Sequence, residues 1–247
     1  MYQFFIEPSG VQDGRIVITG TDVNHIKNVL RMHVGEKIAA VDESGERKWI
    51  CEIGELRENS VRCDIVSVED GDTELPAKIF LFQGLPKGDK MELILQKAVE
   101  LGCFEIIPVV CRRCVVKLEE KKQKSKVQRW QSISEAAAKQ SGRRIIPCVH
   151  EVMRYSQALS YAADMDVRLI PYERAEGMAE TKKLLGELKP GQKIAVFIGP
   201  EGGFEEAEIE EAKNAGVIPV TLGRRILRTE TAAITALSWL MYALERQ

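Results

Sequence analysis

No apolar run in this 247-residue chain is long enough to cross a bilayer, so a membrane-spanning helix is not expected. The opening residues, Met1 to Pro8, lack a basic leader and carry too short an apolar stretch for an export signal; the expected location is the cytoplasm. There is no internal repeat and no low-complexity tract. Histidine is scarce: His25, His33 and His150 have neither metal nor triad spacing, and His25 reads as a helix-surface or interdomain residue. Cys111-Arg112-Arg113-Cys114 has zinc-like spacing, but no second pair exists, so it reads as two buried thiols and no metal is expected. The remaining cysteines, 51, 63, 103 and 148, lie mostly in strand-like segments and read as reduced thiols.

With 45% hydrophobic and 29% charged residues, the composition is that of a globular chain rather than a disordered one. A domain of about 170 residues buries roughly 70% of its extended-chain surface and needs no disulfide or metal staple. The net charge of −2 announces no nucleic-acid partner, but the cations are segregated. Arg112, Arg113, Lys117, Lys121, Lys122, Lys124, Lys126 and Arg129 stand against only Glu119 and Glu120; Arg143-Arg144 and Arg224-Arg225 with Arg228 follow. Such a stripe holds phosphates even on a neutral protein, or is a lysine-rich solvated face.

The acidic run Glu69 to Glu74, ending in Leu75-Pro76, reads as a boundary, giving domains 1–72 and 73–247. Before it, short alternating runs such as Arg15 to Ile18, Lys37 to Val41, Lys48 to Ile53 and Ser60 to Val66 predict a small β-barrel. One helix interrupts, with Thr21-Asp22 as cap and Val23, Ile26, Val29 and Leu30 as buried face. After it, apolar runs at 78–82, 105–110, 167–170, 194–198 and 217–222 alternate with amphipathic helical segments at 91–101, 127–140, 205–215 and from about 231. That alternation predicts an α/β fold on a mostly parallel sheet, with ligands beyond the carboxyl ends of its strands.

Three strand ends carry the candidate chemistry. Phe197 to Phe204 runs from a strand into Gly199-Pro200-Glu201-Gly202-Gly203, whose amides can donate to ligand oxygens. It has neither P-loop nor dinucleotide spacing. Leu222-Gly223-Arg224-Arg225-Ile226-Leu227-Arg228-Thr229-Glu230-Thr231-Ala232 ends another strand, and Thr229 or Thr231 can cap the following helix. Capping leaves Ile226 and Leu227 unexplained: apolar side chains in a polar loop need a flat apolar partner, which an adenine ring would supply. At the third end, Pro171 stops a strand and Tyr172 and Glu173 project beyond it, a pattern an ordinary strand exit also gives.

These two long motifs, in this order and spacing, resemble those of the RsmE family, the bacterial ribosomal-RNA uridine-N3 methyltransferases of the SPOUT class, over essentially the full chain. His25 to Arg31, Gln96 to Gly102 and Glu135 to Arg143 add to the likeness; Gln3, where the family often has Arg, and Glu43, where it often has Gly, depart from it. The resemblance implies a SPOUT domain with a deep C-terminal trefoil knot, a PUA-like RNA-docking barrel before it, a homodimer, and a uridine of small-subunit (16S) ribosomal RNA as substrate. It implies S-adenosylmethionine as methyl donor, held by Leu169, Pro171, Ile198, Gly199, Pro200, Glu201, Gly202, Gly203, Leu222, Gly223, Ile226, Leu227, Arg228, Thr231 and Ala232.

For base methylation, Arg228, then Arg225, would stabilise charge on uracil oxygens, with Glu230 or Glu201 as base or orienter. The alternatives are a phosphate contact or an ion pair to Glu230 for Arg228, and a helix-dipole carboxylate for Glu230. RNA docking falls to Arg31, Lys87, Arg112, Arg113, Arg129 and Arg143. Competing functions are a catalytically inactive RNA-binding assembly factor and ribose 2′-O methylation.

Overall fold

The computed structural model describes residues 1–12, 14–71, 73–116, 120–175 and 177–245. Asp72 at the expected boundary, and Lys117 and Glu119 of the basic stripe, lie outside the described residues, as do the side chains of Glu120 and Lys121. The chain divides into two compact units, Met1–Glu74 with Ala138–Ile146, and Leu75–Ala137 with Pro147–Gln247.

The first unit is a six-stranded sheet. Its strands are β1 (Tyr2–Ile6), β2 (Val11–Gln12), β3 (Arg15–Ile18), β4 (Lys37–Asp42), β5 (Lys48–Leu56) and β6 (Val61–Val68), in the order β1-β4-β5-β6-β3-β2. Only β1 and β4 run parallel. Period-two burial places Trp49, Cys51 and Ile53 of β5 inside with Phe4, Ile16, Ile38 and Val61. The interrupting helix differs from expectation. Helix α1 (Thr21–Asn24) starts after Gly20, no side chain caps it, and it widens into a π-helical turn at His25–Val29. The amide of Leu30 donates to His25 O at 2.8 Å, five residues back. That wider turn rotates Val29 off the face set by Val23 and Ile26, leaving it 64% exposed. Asp22, expected at the cap, accepts instead from Lys139 Nζ at 2.9 Å.

Lys139 belongs to the segment that returns to this unit, and the same segment corrects the reading of Arg143. Arg143 is 3% exposed and its side chain is ion-paired to Glu74, so it is unavailable to RNA. Glu74 also accepts from the Arg144 amide at 2.8 Å, and Gln3 Nε2 donates to Arg143 O at 2.6 Å. A guanidinium leaves water only with a carboxylate beside it. Glu74→Ala should therefore destabilise the first unit by about 3–5 kcal/mol, the cost of removing one partner of a buried pair. Urea unfolding followed by tryptophan fluorescence, with Trp49 as reporter, measures it; a midpoint equal to wild type would refute it.

The second unit is a parallel sheet. Its strands are β7 (Lys78–Gly84), β8 (Cys103–Val110), β9 (Cys148–Val149), β10 (Met153–Arg154), β11 (Val167–Pro171), β12 (Lys193–Ile198) and β13 (Ile218–Val220). The order is β10-β8-β7-β12-β11-β13, with β9 also beside β8, and every pair is parallel. Strands covered on both faces read as unbroken apolar runs, and β7 and β12 are buried from their second residue onward. The helices are α2 (Lys90–Glu100), α3 (Glu120–Ser141), α4 (Tyr155–Tyr161), α5 (Met178–Gly186), α6 (Glu206–Asn214) and α7 (Thr229–Leu244). Helix α3 begins well before the expected Val127 and takes in the lysines that follow residue 119. Helix α7 buries Ala233, Leu237, Leu240 and Leu244 and packs against α2. No described helix is long and apolar enough to cross a membrane.

Candidate active site

The loops that leave β11, β12 and β13 converge on one cleft. It lies beyond the carboxyl ends of adjacent strands, where open α/β sheets bind ligands. Pro171, Tyr172 and Glu173 form one wall, Ile198 to Phe204 another, and Thr221, Leu222, Gly223, Arg225, Ile226, Leu227, Thr229 and Ala232 the third.

The middle loop is shaped by two close approaches. Gly203 has φ 66°, and its amide donates to Pro200 O at 2.9 Å, which closes the turn. Beneath it ends β7, and a Cβ on Gly84 would lie 2.7 Å from the Pro200 nitrogen. No side chain fits there. A buried chain of hydrogen bonds ties the same loop to α7. Gln83 Nε2 donates to Thr229 Oγ1 at 2.9 Å, and Thr229 Oγ1 donates to Gly199 O at 2.6 Å. Thr229 is thus no cap: Arg228 occupies the N-cap position and no side chain caps the helix. The other expected cap, Thr231, is exposed and does not line the cleft.

Lys90 ties the middle loop to the start of α7. Its Nζ lies 3.0 Å from Glu201 and 3.4 Å from Glu230. The Lys87 amide donates to Glu201 as well, at 3.1 Å. Burial raises the Glu201 pKa, but backbone amides and the Lys90 ammonium outweigh it and hold the carboxyl below its usual range. The Glu201 bond in turn raises Lys90, against burial, with Glu230 adding to it. A carboxylate kept anionic in this way is a weak proton acceptor and a good orienter, so Glu201 fits the second of the two roles open to it.

Of the expected donor-site residues, Pro171, Ile198, Gly199, Pro200, Glu201, Gly202, Gly203, Leu222, Gly223, Ile226, Leu227 and Ala232 line the cleft. Leu169, Arg228 and Thr231 do not. Leu169 is buried inside β11 and faces a small apolar cavity with Leu184 and Leu240. Arg228 is exposed at the start of α7, whereas Arg225 is exposed and lines the cleft. Ile226 is 86% exposed at the mouth, an apolar side chain with nothing over it. Gln83, Gly84 and Lys90 escaped the sequence reading. Only Gln83 left a signal, as a polar residue closing the apolar run Ile79 to Phe82.

The cations expected on RNA are divided. Arg31 and Lys87 are exposed. Arg112 lies 3.4 Å from Glu205, Arg129 is 2.7 Å from Glu92, and Arg113 Nη1 donates to Gly202 O at 3.0 Å, on the wall of the cleft itself.

Comparison with known proteins accords with this geometry. The RNA methyltransferase domain model matches residues 73–241, and the RNA methyltransferase PUA domain model matches 18–66. The parallel sheet, its three converging loops and that match define the class of RNA methyltransferases. The ribosomal RNA small subunit methyltransferase E of Bacillus subtilis (strain 168) is 38% identical, with 99% of this chain and 98% of that protein covered. The corresponding Neisseria gonorrhoeae enzyme, solved bound to S-adenosyl methionine, is 33% identical with a TM-score of 0.84, covering 98% of this chain and 97% of that one. A Legionella pneumophila methyltransferase solved with bound SAM is 33% identical with a TM-score of 0.85 over the same shares. The chain belongs to the ribosomal RNA small subunit methyltransferase E family.

Proposed function

We propose that this protein transfers a methyl group from S-adenosylmethionine to N3 of a uridine in 16S ribosomal RNA of the small subunit. One observation carries the reading: three strand-end loops enclose a cleft that joins glycine amides on one wall to the bare Ile226 at its mouth. The fit is chemical. Amides at 202–204 suit ligand oxygens, and Ile226 with Leu227 suits an adenine face. Bound there, the donor supplies an electrophilic methyl carbon.

The chain's own residues do the rest. Uracil N3 carries a proton and becomes nucleophilic when that proton leaves. Charge then spreads to the two flanking carbonyl oxygens, where a preorganised cation stabilises the transition state more than the ground state. Arg228 takes this role, with Arg225 nearer the donor. Glu230, tethered by Lys90, and Glu201 hold the loops and orient the groups that meet there. Positioning donor and base together supplies much of the remaining acceleration.

The reading extends to a trefoil-knotted C-terminal domain, a homodimer and a cytoplasmic location, all implied by family resemblance. Exposed Leu93 on α2 and Tyr242 on α7 support an apolar face suited to a second copy. Arg31, Lys87, Arg112, Arg113 and Arg129 are assigned to phosphates. Neutralising Lys87 and Arg31 together should flatten the plot of log affinity against log salt by about 0.7 per lost contact. An unchanged slope in filter binding to small-subunit RNA would remove both residues from the interface.

The test of function is nucleoside mass spectrometry after incubation of purified protein with labelled donor and either naked 16S RNA or assembled small subunits. The expected product is 3-methyluridine. A 2′-O-methylated nucleoside, or tight donor binding with no transfer to either substrate, would replace this reading.

A further inference from the structure

The two cysteines of the Cys111-Arg112-Arg113-Cys114 turn have no part in the reaction, yet the turn is bolted to the wall of the donor cleft. Cys114 N donates to Cys111 O at 3.0 Å, and Cys111 N donates to Cys114 Sγ at 3.3 Å, so the two ends of the motif fold onto each other. Cys111 is buried and Cys114 half-buried, which leaves one sulfur reachable and the other behind it. Between them, Arg112 N donates to the buried Glu208 at 2.8 Å, and Arg113 Nη1 donates to Gly202 O at 3.0 Å. A Cβ on Gly202 would lie 2.9 Å from Arg113 Cβ, so turn and loop touch without slack.

We propose that Cys111 and Cys114 form a reversible disulfide, made by exchange with a small-molecule disulfide, which loosens the Gly199–Phe204 loop and weakens donor binding. The loss of affinity rests on the donor-site reading above; the disulfide and the loosening do not. In the first step the Cys114 thiolate attacks the small disulfide, forming a mixed disulfide and releasing one thiolate. Cys111 then loses its proton to that thiolate and attacks the Cys114 sulfur, releasing the second thiolate, which takes up from water the proton Cys114 had given to it. The protein loses two hydrogens and the small disulfide is reduced to two thiols. The division of labour follows from the environment. The adjacent Cys111 thiol, opposed by burial and aided by the amides of Cys111 and Leu85, brings Cys114 down to about 7. Cys111, held beside the Cys114 sulfur and buried, is pushed up and acts only once its partner is capped. Closing the bridge draws the two sulfurs together and moves Arg113, whose contact with Gly202 has no room to absorb the shift.

The experiment uses full-length Cys148→Ser protein, which removes the exposed thiol. Samples are equilibrated with reduced and oxidised glutathione in varied ratio. Expected are a loss of two hydrogens by intact mass under non-reducing conditions, faster amide exchange at 199–204, and donor affinity lowered about fivefold or more by titration calorimetry. Dithiothreitol should reverse all three, and adding Cys114→Ser should abolish them. Cys111 and Cys114 both still alkylatable at full oxidation, a stable mixed disulfide that never resolves, or a disulfide with unchanged exchange at 199–204 would each overturn the proposal. Failure of the reduced protein to bind S-adenosylmethionine would instead refute the donor-site reading, while mass and exchange still decide the disulfide.

Discussion

Arg228→Ala is expected to lower methyl transfer by about 100-fold or more while the Kd for S-adenosylmethionine stays near the wild-type value. The magnitude is that of removing one preorganised charge-stabilising group from a transition state. The split between turnover and affinity comes from position: Arg228 stands exposed at the N-cap of α7 and does not line the cleft. Arg225 gives the contrast. It does line the cleft, so Arg225→Ala should weaken donor binding as well as turnover. Calorimetry beside a single-turnover methylation assay separates the two. Equal losses in affinity and rate for Arg228→Ala would make it a donor-binding residue, and no loss of rate would remove it from the reaction.

Gly84→Ala should weaken donor binding about tenfold or more, although Gly84 is not expected to touch the donor. Its backbone is not in the left-handed region, so alanine adds no conformational strain. The added methyl would meet the Pro200 nitrogen at 2.7 Å and its Cδ at 2.7 Å, and neither is a flexible side-chain end. Overpacking of this kind costs about 1–3 kcal/mol or is relieved by displacement. The element free to move is the Gly199–Phe204 loop, which would pull away from the Thr229 hydroxyl that holds Gly199. Circular dichroism should show the fold retained. Unaltered donor affinity in a folded variant would show that the loop tolerates the shift.

The sequence revealed the site where local chemistry and global position agree. Ile194 to Ile198 followed by three glycines must be a buried strand running into a glycine-rich loop, and it is, with that loop lining the cleft. Helix α2 was equally plain, with apolar spacing from Met91 to Ala98 and Gly102 after its end. Effects that depend on distant chain were not legible. Arg143 reads as a surface cation because nothing nearby in sequence says that Glu74 will meet it in the core. Gly84 reads as an unremarked strand end, since its constraint is a proline 116 positions further along the chain. Thr229 offered a standard cap, but Gln83 and Gly199 compete for its hydroxyl and win. Val29 fitted an α-helical face that the π-helical turn does not present.

The return of residues 138–146 to the first unit affects how the protein is made. Nascent chains commonly fold domain by domain from the amino end. Here Gln3, Asp22 and Glu74 must wait for Arg143, Lys139 and Arg144, which leave the ribosome only after more than half the chain has been synthesised. The first unit is therefore not a cassette that can be cut out at residue 74 and grafted elsewhere. A fragment ending there should acquire native stability only when a peptide spanning 138–146 is added in trans.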